Sequence, residues 1–189
     1  MRFILLIASV VFLQACVSSK FVSSKVLEQE LNLKGKSVVT YNTLDIRTSE
    51  LGEAMLESLN SQLQQRFSQK NVKADVLNFK SSKIGTSYMV AGSGIVPMEE
   101  FVAQYKEKEA EDNVDYRLLI LPSQMTVSGA WRFFDITWIL VDARTERTVW
   151  QGVSKGEHLV QWSINEMPEK RAALIVDSLF AELEKAKVI

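Results

Sequence analysis

One cysteine, one histidine and three prolines in 189 residues set the first limits. With Cys16 alone, no disulfide can form within the chain. His158, alone of its type, leaves little for proton transfer near neutral pH, where histidine is the usual acid or base. It stands in Lys155-Gly156-Glu157-His158, a pattern that predicts a polar strand position with no catalytic motif around it. Zinc needs four nitrogen or sulfur ligands, or three and a water, which this inventory cannot supply. The acidic cluster of Glu107, Glu109, Glu111 and Asp112 lacks the alternating oxygens and central glycine of a calcium loop and reads as a solvated helix end. Positive and negative charge nearly balance, with 22 Lys+Arg against 23 Asp+Glu. Without a polybasic block, no partnership with nucleic acid is expected. No apolar run approaches the roughly 20 residues that cross a bilayer as a helix. Gly92-Ser93-Gly94 has neither the spacing nor the following lysine of a P-loop, and no nucleophile elbow is present. These absences exclude most catalytic classes and predict a chain that is not an enzyme and takes no cofactor.

What is there begins at the N-terminus. Arg2 precedes an apolar run from Phe3 to Leu13, followed by Gln14, Ala15 and Cys16. A positive charge, a short apolar stretch and a small residue are the parts of a secretory signal. Leu13-Gln14-Ala15-Cys16 resembles a lipobox, the site at which bacterial lipoproteins are cleaved before a diacylated cysteine, with Gln14 departing from the small residue usual there. The resemblance implies that residues 1–15 are a signal peptide and that Cys16 carries lipid such as palmitate. It also puts the sulfur of a lone thiol to use as a thioether. Each buried methylene contributes about 0.8 kcal/mol, so two or three acyl chains hold firmly. Val17 after the cysteine, in place of aspartate, implies by the same resemblance the outer membrane, with the protein facing the periplasm.

Without residues 1–15, 174 residues remain, enough for one domain with a real core. Residues 16–35 are expected to be the lipidated cysteine and a serine-bearing tether, reaching roughly 25 Å on average if flexible. Residues 36–189 are expected to form one α+β domain. Lys36 to Ile46 is rich in β-branched residues and predicts a strand. Leu51, Met55, Leu59, Leu63 and Phe67 recur at steps of four, behind the capping oxygens of Thr48 and Ser49, and predict an amphipathic helix ending near Lys70-Asn71. Ala74 to Phe79 predicts a strand. Residues 81–97, broken by Gly85, Gly92 and Gly94, predict a loop that offers Tyr88 and Met89 as contact residues. Pro97 opens a candidate helix to about Glu109. Val114 to Leu121 predicts a strand continuing toward Val127. Trp131 to Ala143 and Arg147 to Val160 flank a short polar turn and predict a hairpin. Pro168 opens a last helix with Ala172, Ile175, Val176, Leu179, Phe180 and Leu183 on its buried face. The expected architecture is a mainly antiparallel sheet of about five strands with two or three helices packed on it.

Aromatic residues crowd the second half: Trp131, Phe133, Phe134, Trp138, Trp150 and Trp162. Large rings dominate sheet-to-helix packing, so most of these predict core. Trp131 follows Ser128-Gly129-Ala130 at a turn; core or partial burial is the first expectation for it, and if exposed it is the candidate partner anchor, since tryptophan is enriched at binding hot spots.

At the hairpin the sequence is similar to a known pattern. Asp142 to Gly152, with Thr145, a polar turn and then Val149-Trp150, resembles a turn recurring in small envelope lipoproteins, where glycine usually stands at the place of Glu146. With Asn113-Val114-Asp115-Tyr116 leading into a strand, the layout of residues 36–187 resembles the α/β domain of penicillin-binding-protein activator lipoproteins, curli-assembly lipoproteins and the N-terminal domain of TolB. That resemblance implies a scaffold for protein contacts in the envelope and transfers no site residue. The expected function is a membrane-anchored, non-enzymatic accessory lipoprotein docking on an envelope machine of peptidoglycan synthesis, secretion or transport. The alternative is a lipid or small-molecule carrier of the periplasm, with the aromatic-rich sheet and the glycine loop as its cavity.

Overall fold

The computed structural model describes residues 17–44, 53–78, 106–107, 113–159 and 168–189. The order of elements is β1 (Val17–Val26), β2 (Ser37–Asn42), α1 (Glu53–Gln69), β3 (Lys73–Asn78), β4 (Tyr116–Ser128), β5 (Trp131–Asp142), β6 (Thr148–Leu159) and α2 (Pro168–Lys185). The strands form one six-stranded sheet in the order β1-β6-β5-β4-β2-β3. Pairing is parallel where β2 meets β3 and β4, and antiparallel across β4, β5, β6 and β1. The protein is α+β with a mostly antiparallel sheet. The candidate helix from Pro97 and the loop of residues 81–97 fall outside the described residues, except for Lys106 and Glu107, which are helical.

One expectation is corrected. The serine-bearing segment after Cys16 is not a tether: Val17–Val26 is strand β1, paired along its length with β6 from Val17↔His158 to Val26↔Trp150. Its composition conceals this, because only Phe21 brings a large ring to the core. Phe21 lies beside Trp138 and Trp150, with ring centroids 6.2 and 6.0 Å away. Glycine makes its seat: a Cβ at Gly152 would stand 2.7 Å from the Phe21 ring. The serines of β1 reach α2 instead of water, Ser19 Oγ lying 3.2 Å from Ser178 Oγ and Ser24 Oγ donating to Glu182. The backbone groups of β1 satisfy what would otherwise be the open edge of β6.

The core forms where one face of the sheet meets the two helices. In β5 the even positions Phe134, Ile136, Trp138 and Leu140 are buried, as the period of two in a strand requires. Met55, Leu59, Leu63 and Phe67 of α1 and Ile175, Val176, Leu179 and Phe180 of α2 meet them in a single cluster. Phe67 and Phe180 join the helices edge to face at 4.9 Å, and Arg66 lies over the Phe180 ring while pairing with Asp177 at 3.0 Å. Trp138 and Trp150 are fully buried; Trp138 donates its indole hydrogen to Ser154 at 2.8 Å. They fill space between the sheet and the helices.

Both helices stop in the same way. Asn71 and Lys187 take positive φ, and the next residue, Val72 or Val188, donates back to Phe67 or Leu183. This is the Schellman closure, which satisfies the last carbonyls of a helix.

Strand lengths give the sheet two unlike ends. Pairing of β2 with β4 runs only from Val38↔Tyr116 to Asn42↔Ile120. Beyond Ile120, β4 continues to Ser128 beside β5, β6 and β1. At about 3.3 Å per residue, this part projects roughly 25 Å past the last β2 pair.

Candidate functional site

The projecting end carries the β4–β5 turn, Ser128-Gly129-Ala130-Trp131. Gly129 has φ 59° at the first central position, the place a type II′ hairpin turn reserves for glycine. Arg132 folds back on this tip, donating to the carbonyls of Gly129 at 3.0 Å and Trp131 at 3.3 Å. Trp131 and Phe133, two residues apart, share the face of β5 opposite the helices. They are 36% and 38% exposed, and their rings stack with centroids 6.4 Å apart. Trp131 is therefore surface, where core or partial burial is the first expectation from sequence; Phe133, expected in the core, is also surface. Further along this face, Asp135 is paired with Lys155 at 2.9 Å, and both border an open groove together with Ser18, Lys20, Phe133 and Glu157.

Register places this tip level with the start of the described chain. Val17 pairs with His158 of β6, His158 pairs with Arg132 of β5, and Arg132 pairs with Val127 of β4. Cys16, bonded to Val17, lies outside the described residues, as do Tyr88 and Met89. His158 is a strand residue of β6, as its sequence context predicts.

The opposite end of the sheet is polar. A cleft there is bordered by Glu28, Lys36, Asp115, Tyr116, Asp142 and Arg144. Asp115 holds the start of β2, accepting from the Ser37 amide at 2.9 Å and from its hydroxyl at 3.2 Å, with Lys36 Nζ 3.7 Å away. Asp142 caps the β5–β6 turn, accepting from the amides of Arg144 at 3.0 Å and Thr145 at 2.6 Å. Partial burial pushes the Asp142 carboxyl up, but the Thr145 and Arg144 hydrogen bonds outweigh it and hold the group below its ordinary range. Burial, then the charges of Glu28, Asp142 and Asp115, push the Tyr116 phenol above its ordinary value. Beneath the turn, the buried Arg117 guanidinium donates to both oxygens of Glu146, at 2.7 and 2.9 Å, and to the Ala143 carbonyl at 3.2 Å. The hydrogen bond from Arg117 holds the Glu146 carboxyl low.

The shifts at this end favour fixed protonation states. The lowered carboxyls stay ionised and the raised phenol stays neutral near neutral pH. The end presents a stable mosaic of both charge signs, suited to contact. Among the described residues, no group of three His, Cys, Asp or Glu side chains is placed to hold a metal ion. The Arg117–Glu146 and Lys155–Asp135 pairs carry no signal in the sequence pattern alone.

No protein-family profile matches the chain, and no curated protein is significantly similar to it. Solved structures do show similarity. A PelC dodecamer from Paraburkholderia phytofirmans is 14% identical, covering 86% of this chain and 94% of that one, with a TM-score of 0.44. Lipoprotein GNA1162 from Neisseria meningitidis is 13% identical, covering 79% of this chain and 99% of that one, with a TM-score of 0.45. At such scores neither neighbour transfers a residue, a ligand or an activity to this chain.

Proposed function

We propose that the protein is a membrane-anchored, non-enzymatic accessory lipoprotein of the bacterial envelope, held by lipid on Cys16 and docking a protein partner of an envelope machine. The carrying observation is the pairing of Val17 with His158. The residue bonded to Cys16 is already part of the sheet, so no slack separates the domain from its anchor. An anchor of this kind holds one end of a rigid domain at the membrane and turns the other, with Asp115, Tyr116, Asp142 and Arg144, away from it. The fixed charges of that polar end favour recognition over catalysis. Facing the periplasm from the outer membrane, as Val17 implies, such a domain reaches only as far as its own length.

Crosslinking in intact cells tests this reading, with a photoreactive residue at Arg144, affinity purification and mass spectrometry, and Cys16→Ala as control. One or two reproducible envelope proteins, lost without the anchor, are the expected result. An anchored protein with no specific neighbour would sink it.

A further inference from the structure

We infer that the β4–β5 tip is a second membrane contact, in which Trp131 and Phe133 enter the interfacial layer of the same bilayer that holds the Cys16 lipid. The inference rests on the lipid-anchor reading and adds an orientation to it. Three observations converge on one end of the sheet. Val17, Arg132 and His158 share one row of backbone pairs, so the chain enters the sheet level with the hairpin tip. Only β6 separates β1 from β5, and at about 4.8 Å between neighbouring strands the lateral distance is roughly 10 Å. Cys16 adds one Cα–Cα step of about 3.8 Å. A lipid seated in the bilayer therefore brings the tip to the headgroup layer.

The side chains at the tip suit that layer. Trp131 and Phe133 are exposed on a turn that projects past β2 and β3, and they stack on each other outside the core cluster formed by the described residues. Tryptophan combines an apolar body with one polar hydrogen and concentrates at membrane–water interfaces. Arg132 keeps its guanidinium on the tip's own carbonyls, which satisfies backbone groups that lipid cannot hydrogen-bond. A protein partner would also accept an exposed tryptophan, but the nearness of the attachment point favours lipid. A single acylated point leaves a domain free to swivel; two points roughly 10 Å apart fix its tilt.

The test uses the mature lipoprotein reconstituted in vesicles of phosphatidylethanolamine and phosphatidylglycerol, with and without bromine-labelled phosphatidylcholine. Mass spectrometry of the Cys16 peptide is done first. Tryptophan fluorescence is then compared between the wild type and Trp131→Phe. Bromine is expected to quench a blue-shifted component in the wild type that the variant loses, while Trp138, Trp150 and Trp162 are common to both. Equal fractional quenching with lipid present on Cys16 would overturn the membrane contact and leave the anchor standing. A Cys16 peptide without lipid would overturn both.

Discussion

Glu146 occupies the left-handed backbone region at φ 59° and still grips Arg117 through both carboxylate oxygens, at 2.7 and 2.9 Å. Non-glycine residues enter this region at a cost of about 1–2 kcal/mol. The Arg117 guanidinium, only 5% exposed, would otherwise lie beneath the turn without its carboxylate. The carboxylate offsets the backbone cost of placing glutamate at this position.

Glu146→Ala keeps the strained backbone and removes the partner, so a loss of about 1–2 kcal/mol in urea unfolding is expected. Glu146→Gly also removes the partner but relieves the backbone, and should be more stable than the alanine variant by about 1 kcal/mol. Equal midpoints for the two variants would show that φ at this position carries no cost.

Acid should expose the same turn. Glu146 and Asp142 have carboxyls held below their ordinary range in the fold. A depressed folded value contributes stability that is present above the unfolded value, about 4 for such groups, and is lost as pH falls through the folded one. Glu146→Gln should therefore flatten the fall in melting temperature below about pH 4, relative to wild type. Tyr116 runs the other way: its raised value means stability is present below about pH 10 and lost above it, and Tyr116→Phe should blunt that alkaline loss.

Gly156 faces Phe134 directly across the β5–β6 pair, and a Cβ there would lie 2.1 Å from the ring. Phe134 is buried and cannot swing into open space. Gly156→Ala should destabilise by about 1–3 kcal/mol, the range for overpacking a core. Adding Phe134→Leu should recover part of this; an alanine variant as stable as wild type would mean the sheet yields there.

Phe21→Ala tests how β1 is held. With its one large core contact gone, β1 should loosen from β6 before the rest of the domain, at a cost of about 1–2 kcal/mol for a partly buried ring. Faster amide hydrogen exchange confined to residues 17–26 is the expected signature. Unchanged exchange there would mean that backbone pairing and the α2 contacts suffice.

Cys16→Ala should abolish lipid labelling. Release from the membrane fraction should follow only if processing still occurs, so labelling is the cleaner readout. Lipid labelling that persists in the variant would remove the basis for assigning the anchor.

Much of the architecture was legible along the chain, for local reasons. The step of four from Met55 to Phe67, Pro168 before an apolar stripe, and the β-branched runs on either side of residues 144–146 each encode an element through contacts near in sequence. The hairpin and last helix appear close to where those patterns place them. The candidate site was far less legible. Arg117 and Glu146 are ordinary charged residues until a strand and a turn set them side by side, and Phe133 differs from Phe134 only in the face of β5 it occupies.

The chain's local patterns carry the fold class, the place of the two described helices, their core stripes and the resemblance of residues 13–16 to a lipid-attachment site. Tertiary structure decided that Val17–Val26 is a strand, since its polar residues become ordered only by borrowing the edge of β6, the seat at Gly152 and the hydroxyl partners on α2. It also decided that Val17 and the Trp131 tip stand at one end of the sheet and the charged cleft at the other. The register of β1 on β6 joins segments more than a hundred residues apart, so no hairpin turn between them sets it.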